Sequence, residues 1–253
     1  MLRLMTYNIL NGGIGREEQI LKVIQNAKPD VLVLQEVYSE DVLKFLSDAL
    51  NMQYYFGKGN KRRKVACLSK LPVSSFKSVN PAFPIWRNII DVEVETPVGQ
   101  RVRVIGVHPI AMLGVFFEIW RLWEAKYVIQ YIQSLHEDYV VIAGDFNAIA
   151  PGEHVQTETM PKWLKWMIYL QGNRVYHFSI KKYLSAGLTD CFRICNPNDK
   201  GFTLPPVRPN ARLDYVLASE KMKHYLKSAT VLHMPDEVKV ASDHLPLVVD
   251  FLT

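Results

Sequence analysis

The stretch VVIAGDFNA, Val140 to Ala148, changes character at one point. Val140 to Ala143 is a short run of mostly β-branched apolar residues, typical of a buried strand. Asp145 and Asn147 follow immediately, where a sheet presents side chains on a rigid edge. Working outward, the same arrangement recurs. Asn8 ends the run in TYNIL, Glu36 ends LQEV, His108 ends VRVIGVH, Asp214 lies in RLDYVLAS, and Asp243 and His244 form a pair in SDHLP just before the last apolar run. Each residue alone has a plain structural role, because Asn and Asp cap helices and make turns, and a single His or Glu at a strand end is usually solvated. Their recurrence at strand end after strand end points to chemistry.

The runs themselves read as strands over 2–9, 31–35, 65–69, 89–94, 102–107, 140–143, 213–218 and 247–251. Helical spacing appears over Arg16 to Ala27, with Ile20, Val23, Ile24 and Ala27 on one face and Pro29 beyond its end. It appears again over Trp120 to Leu135. Helix and strand alternate early and strands dominate later, which fits an α/β sandwich of two packed sheets covered by helices better than a purely parallel sheet. With 253 residues and neither a repeat nor a Gly/Ser linker, residues 1–253 are expected to form a single domain.

Composition narrows the class. Hydrophobic residues are 49% and charged residues 22%, the balance of a globular chain rather than a disordered or fibrous one. Three cysteines without a CxxC pair indicate neither a disulfide framework nor a zinc cluster. MLRLMTYNIL lacks the features of a signal peptide, and the longest apolar stretch, Ile110 to Phe117, is far short of a membrane span. A cytoplasmic protein is expected. The net charge of +5 is local, since five of the 30 basic residues lie between Glu158 and Asp190 with no acid among them, which balances the remainder against the 25 acids.

The polar set is chemically coherent. Glu36 and the amide of Asn8 offer hard oxygen ligands suited to Mg²⁺ or Mn²⁺, and two histidines with several carboxylates supply acid and base groups. No Ser or Cys has the setting of an activated nucleophile. The reaction implied is metal-assisted attack of water on a phosphorus ester.

Taken together, TYNIL, LQEV, GVH, GDFNA, LTD, GFTLP, RLDYVLAS and SDHLPL, in that order over nearly the whole chain, resemble the endonuclease/exonuclease/phosphatase superfamily, which includes deoxyribonuclease I, exonuclease III-type AP endonucleases, inositol-polyphosphate 5-phosphatases and neutral sphingomyelinases. The resemblance implies a four-layer α/β sandwich, two mixed β-sheets between helical layers, with the active site at one edge. It implies Glu36 as principal Mg²⁺ ligand with Asn8 beside it and Asp243 as an additional metal or water ligand. Asp145 would activate or position water, Asn147 would hold a phosphate oxygen, and His244, oriented by Asp214, would contact the scissile phosphate. His108 stands where AP endonucleases of this type carry Tyr, and Leu10 where they commonly carry an acid. The first departure argues against a dedicated AP endonuclease, and the second implies that metal binding leans more on Glu36.

Substrate contacts are expected from Arg87, from Lys61, Arg62 and Arg63 in KRRK, and from Trp163 and Lys165. The last two belong to a segment, 160–183, that interleaves Lys and Arg with Trp, Tyr and Phe. Such interleaving suits single-stranded nucleic acid, a peripheral membrane contact, or a helix whose Trp and Met residues cover the core. The stretch IAMLGVFFEIW after His108 is expected to be core. The expected function is a monomeric, Mg²⁺-dependent phosphoesterase acting on nucleic acid, with a phospholipid, sphingomyelin or phosphoinositide headgroup as the alternative. A catalytically silent binding module is the reading from a different class, and the complete polar set argues against it.

Overall fold

The apolar runs become strands because each alternates side chains between two buried faces. The structure is a computed structural model and describes residues 1–57, 64–82 and 87–253. In chain order the elements are β1 (Leu2–Asn8), α1 (Glu17–Ala27), β2 (Val31–Val37), α2 (Glu40–Leu50), β3 (Gln53–Phe56), β4 (Lys64–Ser69), β5 (Val73–Val79), β6 (Ile89–Glu95), β7 (Arg101–Val107), α3 (Val115–Leu135) and β8 (Val140–Asp145). They continue with α4 (Lys162–Leu170), α5 (Phe178–Ser185), β9 (Thr189–Asp190), α6 (Cys191–Cys195), β10 (Asp214–Ala218), α7 (Glu220–Lys223), β11 (Leu226–Val231), α8 (Val238–Ala241) and β12 (Leu247–Phe251).

The strands form two six-stranded sheets, ordered β11-β12-β1-β2-β4-β3 and β5-β6-β7-β8-β10-β9. Each contains one parallel pair, β1 with β2 and β7 with β8, and is otherwise antiparallel. Alternation explains the layering. From β8, Val141 and Ala143 join the large core shared with the first sheet, whereas Val140 and Ile142 join the core under Ala125, Val128 and Ile129 of α3 and Ile180 and Tyr183 of α5. On the far side, Ile20 and Ile24 of α1 and Leu43 and Leu46 of α2 cover the first sheet. This is the four-layer α/β sandwich that the sequence implies.

Two expectations change. The segment IAMLGVFFEIW is not core throughout: it forms a loop and the first turns of α3, with Met112, Phe116 and Ile119 exposed. MPKWLKWMIYL does form a helix, α4, but Trp163 and Trp166 face solvent and only Ile168 is buried. Lys61, Arg62 and Arg63 lie outside the described residues. Among the described residues, no helix is long and apolar enough to cross a membrane.

Candidate active site

Strand direction gathers the polar residues. β1 and β2 are parallel, so Asn8 and Glu36 emerge at the same end of the first sheet. β12 runs antiparallel to β1, with Thr6 opposite Leu247, so the loop carrying Asp243 and His244 enters at that end too. In the second sheet β7 and β8 are parallel and release His108 and Asp145 together. β10 is antiparallel to β8, and its first residue, Asp214, stands opposite Asp145. The two clusters meet where the Asn8 side-chain amide donates to Asp145 Oδ2 at 3.0 Å.

Asp145 Oδ2 is the hub. His244 Nε2 and His108 Nε2 each lie 3.7 Å from it, while Asp145 Oδ1 accepts the Asn147 backbone N–H at 2.9 Å. The Nδ1–H of His244 donates to Asp214 Oδ2 at 2.8 Å, the assignment that an ionised carboxylate, which only accepts, requires. All these side chains except that of Asn147 are almost fully buried. Burial raises the Asp145 carboxyl, the Asp214 charge raises it further, and His244, the Asn147 N–H and the Asn8 amide oppose, leaving it well above the carboxylate range. For His244 burial acts to lower the value, and the charges of Asp214 and Asp145 with the Asp214 hydrogen bond outweigh it, raising it to about 10. The imidazole is therefore held as a cation.

Local backbone choices aim these groups. Between Leu34 and Val37 the β2–β4 register slips, and Glu36 within this bulge has φ 62. A bulge re-aims a side chain at a sheet end, and a left-handed Glu is kept only where its surroundings enforce it. Glu36 Oε2 accepts the Asn11 N–H at 2.9 Å, and Asn8 Oδ1 accepts that of Leu10 at 3.0 Å. Asn147 is also left-handed, φ 51, and its amide donates to Pro109 O at 3.2 Å, tying the loop after β8 to that after His108. Gly144 precedes Asp145 because a Cβ there would stand 2.0 Å from the Val107 carbonyl oxygen.

Supporting residues complete the frame. Ser242 Oγ donates to Asn8 O at 2.6 Å, joining the His244 loop to β1, while Asp243 itself is exposed. Thr203 Oγ1 accepts the Leu213 N–H at 3.1 Å and its carbonyl accepts the Leu245 N–H, so GFTLP braces both Asp214 and His244. Arg212, fully buried, grips both oxygens of Asp190 at 3.1 and 2.5 Å and Glu153 at 2.7 Å. Arg87 borders a narrow cleft with His108 and Glu124. Trp163 lines a separate cavity that Asn147 also borders, and Lys165 donates to Glu158 O at 2.7 Å. Sequence reading missed Arg212, Thr203 and Glu124 as parts of this frame. The signal for the first two was a polar residue in the quoted RLDYVLAS and GFTLP.

The profile of the Endonuclease/Exonuclease/phosphatase family matches residues 5–244, from β1 to His244. The chain belongs to this family. As a member it is a hydrolytic phosphoesterase. Among solved structures it is similar to an AP endonuclease from Archaeoglobus fulgidus, at 22% identity and TM-score 0.79 over 100% of both chains. It is also similar to the 3′ phosphatase NExo from Neisseria bound to product DNA hairpin, at 21%, TM-score 0.74 and 99% of both chains. The human Nocturnin catalytic domain with bound sulfate anion matches at 21%, TM-score 0.73, over 99% of this chain and 92% of that one. Comparison with curated proteins finds no match.

Family members generally depend on a divalent metal, and the residues present fit one. Carboxylate oxygens of Asp145 and Asp214 lie within 4.8 Å of each other. Asp214 Oδ1 is buried without a hydrogen-bond partner, which a cation would satisfy. With Glu36 and Asn8 at the same sheet end, the donor set is hard oxygen, the preference of Mg²⁺ and Mn²⁺.

Proposed function

We propose that the chain hydrolyses phosphoesters, phosphodiesters foremost, by metal-assisted attack of water at the Asp145–His244 site, with residues 1–253 acting as one catalytic domain. The observation that carries this reading is Asp145 Oδ2 facing two buried histidines while Asp214 holds one of them cationic. Mg²⁺, or Mn²⁺ in its place, would be held by Glu36 with Asn8 beside it and Asp243 or the Asp214 oxygen in support. When bound, it polarises the phosphoryl oxygen and lowers the pKa of water.

The chain's own residues do the rest. Asp145, raised toward neutral pH, takes the proton of the attacking water, the situation in which a general base is most effective. His244, cationic and fixed by Asp214, donates to a phosphoryl oxygen as charge develops there. Asn147 keeps one amide hydrogen on Pro109 O, which fixes the group to offer its other to the phosphate. His108 faces Asp145 and, with Arg87, borders the narrow cleft beside it.

Two substrate classes share this chemistry. Nucleic acid is supported by the likeness to NExo, whose structure holds a DNA hairpin, and to an AP endonuclease. A lipid phosphoester is favoured by a feature of this chain, the apolar cavity beside Asn147. A monomeric, cytoplasmic enzyme belongs to the same reading and accords with three free cysteines, two of them buried. Release of p-nitrophenol from bis-p-nitrophenyl phosphate that requires Mg²⁺ or Mn²⁺ is expected. Absence of turnover with either metal would remove the proposal.

A further inference from the structure

A cavity of about 460 Å³ opens beside the site, with Asn147 and Leu213, the neighbour of Asp214, in its wall. Its lining is mostly aliphatic, including Met112, Leu113, Ile149, Leu164, Ile168 and Val175. Five of the polar side chains in that lining are turned onto the chain itself, and Arg174, Tyr176 and Asn210 complete its polar part. Gln171 accepts the Val115 N–H and donates to Met167 O, Thr159 donates to Gln156 O, and Asn147 donates to Pro109 O. Glu118 and Arg121 are paired at 2.8 Å, with Glu118 also accepting from Ser179 and Arg121 donating to the carbonyls of Ile110 and Met112. A nucleobase needs free donors and acceptors to be read at its edge. Apart from Arg174, Tyr176 and Asn210, this wall offers an alkyl chain contact area and little else.

The outer surface of the same wall carries a second, independent observation. α4 forms one side of the cavity with Trp163, Leu164 and Ile168, leaves Trp163 half exposed at its edge, and turns Trp166, Tyr169 and Leu170 to solvent. The start of α3 adjoins the end of α4 through the Val115–Gln171 hydrogen bond and exposes Phe116 and Trp123. Exposed aromatic residues gathered on two helices joined in this way mark an interaction surface. Lys162 and Lys165 stand among the aromatics, Arg174 lies at the rim, and no acid occurs from 159 to 189. Aromatic rings interleaved with cations are the composition of a helix lying in an anionic lipid interface.

We propose that the cavity receives the alkyl chain of an amphiphilic phosphoester drawn from an anionic lipid surface, on which the exposed faces of α3 and α4 seat. This rests on the phosphoesterase reading of the neighbouring site. The substrate's phosphorus lies at Asn147 and His244 while its chain runs between Leu164 and Leu213. Arg174 at the mouth meets lipid headgroups.

The test compares methyl and octyl p-nitrophenyl phosphate, both monomeric in solution, with the full-length protein and Mn²⁺. In each, water attacks phosphorus, the P–O bond to the aryl group breaks, and p-nitrophenol and the alkyl phosphate leave. Burial of a methylene is worth up to about fourfold, so kcat/KM for the octyl diester should exceed that for the methyl diester by about a hundredfold or more. The octyl-to-methyl ratio should fall by about tenfold or more in Leu164→Gln. In parallel, the metal-free protein should sediment with phosphatidylglycerol vesicles, and Trp163→Ser/Trp166→Ser should lose that binding. Two outcomes overturn the proposal while leaving the phosphoesterase reading intact: both diesters turned over with a ratio near one, or tight binding of a single-stranded oligonucleotide with none to vesicles. Turnover of neither diester overturns the phosphoesterase reading and the substrate assignment together.

Discussion

Asp214 stands directly opposite Asp145 in the β8–β10 ladder, and the two carboxylates reach His244 from different sides, Asp214 at Nδ1 and Asp145 at Nε2. The pairing makes His244 a cation over a range in which a free histidine is neutral, since a partner charge that raises a histidine's pKa keeps its proton on to higher pH. Asp214→Asn removes that charge. The basic limb of kcat against pH, set near pH 10 by the raised value, should move down toward the ordinary histidine range, and turnover above that range should fall most. An unmoved basic limb would separate His244 from catalysis.

Asn8 acts on the other carboxylate. Its amide hydrogen bond favours the ionised form of Asp145, so Asn8→Ala should raise the Asp145 pKa further and shift the acid limb of the profile to higher pH. Loss of one neutral donor to a charged group is worth on the order of one pKa unit, or about tenfold in turnover below the limb. A stopped-flow or plate assay across pH, with circular dichroism showing an intact fold, reads this directly.

Arg212 concerns stability. It is fully buried between Asp190 and Glu153, stacks at 4.2 Å from the Tyr215 ring centroid, and lies two residues before Asp214. Arg193 still reaches Glu153, but neither oxygen of Asp190 has another cation. Arg212→Met should cost about 3–5 kcal/mol in urea unfolding, the usual penalty for an uncompensated buried charge. Adding Asp190→Asn should recover part of the loss. A cost below about 1 kcal/mol would show the network to be ornamental to the fold.

Glu124 gives a pH dependence of stability with the opposite sign to an ion-paired acid. Burial raises it to about 7, against the Ile110 N–H and the charges of Arg87 and Arg121, and its Oε1 has no hydrogen-bond partner. The folded state therefore keeps the proton while the unfolded chain releases it near 4.5. Stability falls as pH rises between these values, by up to about 3 kcal/mol, and is fully present below the lower one. Glu124→Gln should abolish that slope in thermal or urea unfolding followed across this window.

How much of this the sequence carries follows from burial. All eight interior strands, β1, β2, β4, β6, β7, β8, β10 and β12, are legible as apolar runs, and every unread strand, β3, β5, β9 and β11, is a sheet edge. Edge strands lack a second neighbour and stay half exposed, as in VSSFKSV of β5, so the apolar signal is diluted. Asn8, Glu36, His108, Asp145, Asn147, Asp214 and His244 are legible because they lie at the ends of interior strands; strand direction carries them to one edge, where the β2 bulge and the loops after β8 and before β12 aim them. The Arg212–Glu153 pair is not, because Glu153 lies on a loop that no strand register places. Nor is the cavity, whose walls come from the loop after His108, α4 and the loop before Asp214. The aromatic residues of α3 and α4 have helical spacing in the sequence, but which side of each helix is covered is decided only by packing.

Hydrolysis of bis-p-nitrophenyl phosphate by the purified wild type and Glu36→Ala, each titrated with Mg²⁺ and Mn²⁺ after circular dichroism confirms the same fold, tests the assignment most directly. Glu36 sits in the bulge that β2 forms at the site and supplies the hard oxygen that the metal requires. Metal-dependent turnover should drop by about 10³-fold or more, with saturation displaced to higher metal concentration. Undiminished metal-dependent turnover in Glu36→Ala would contradict it.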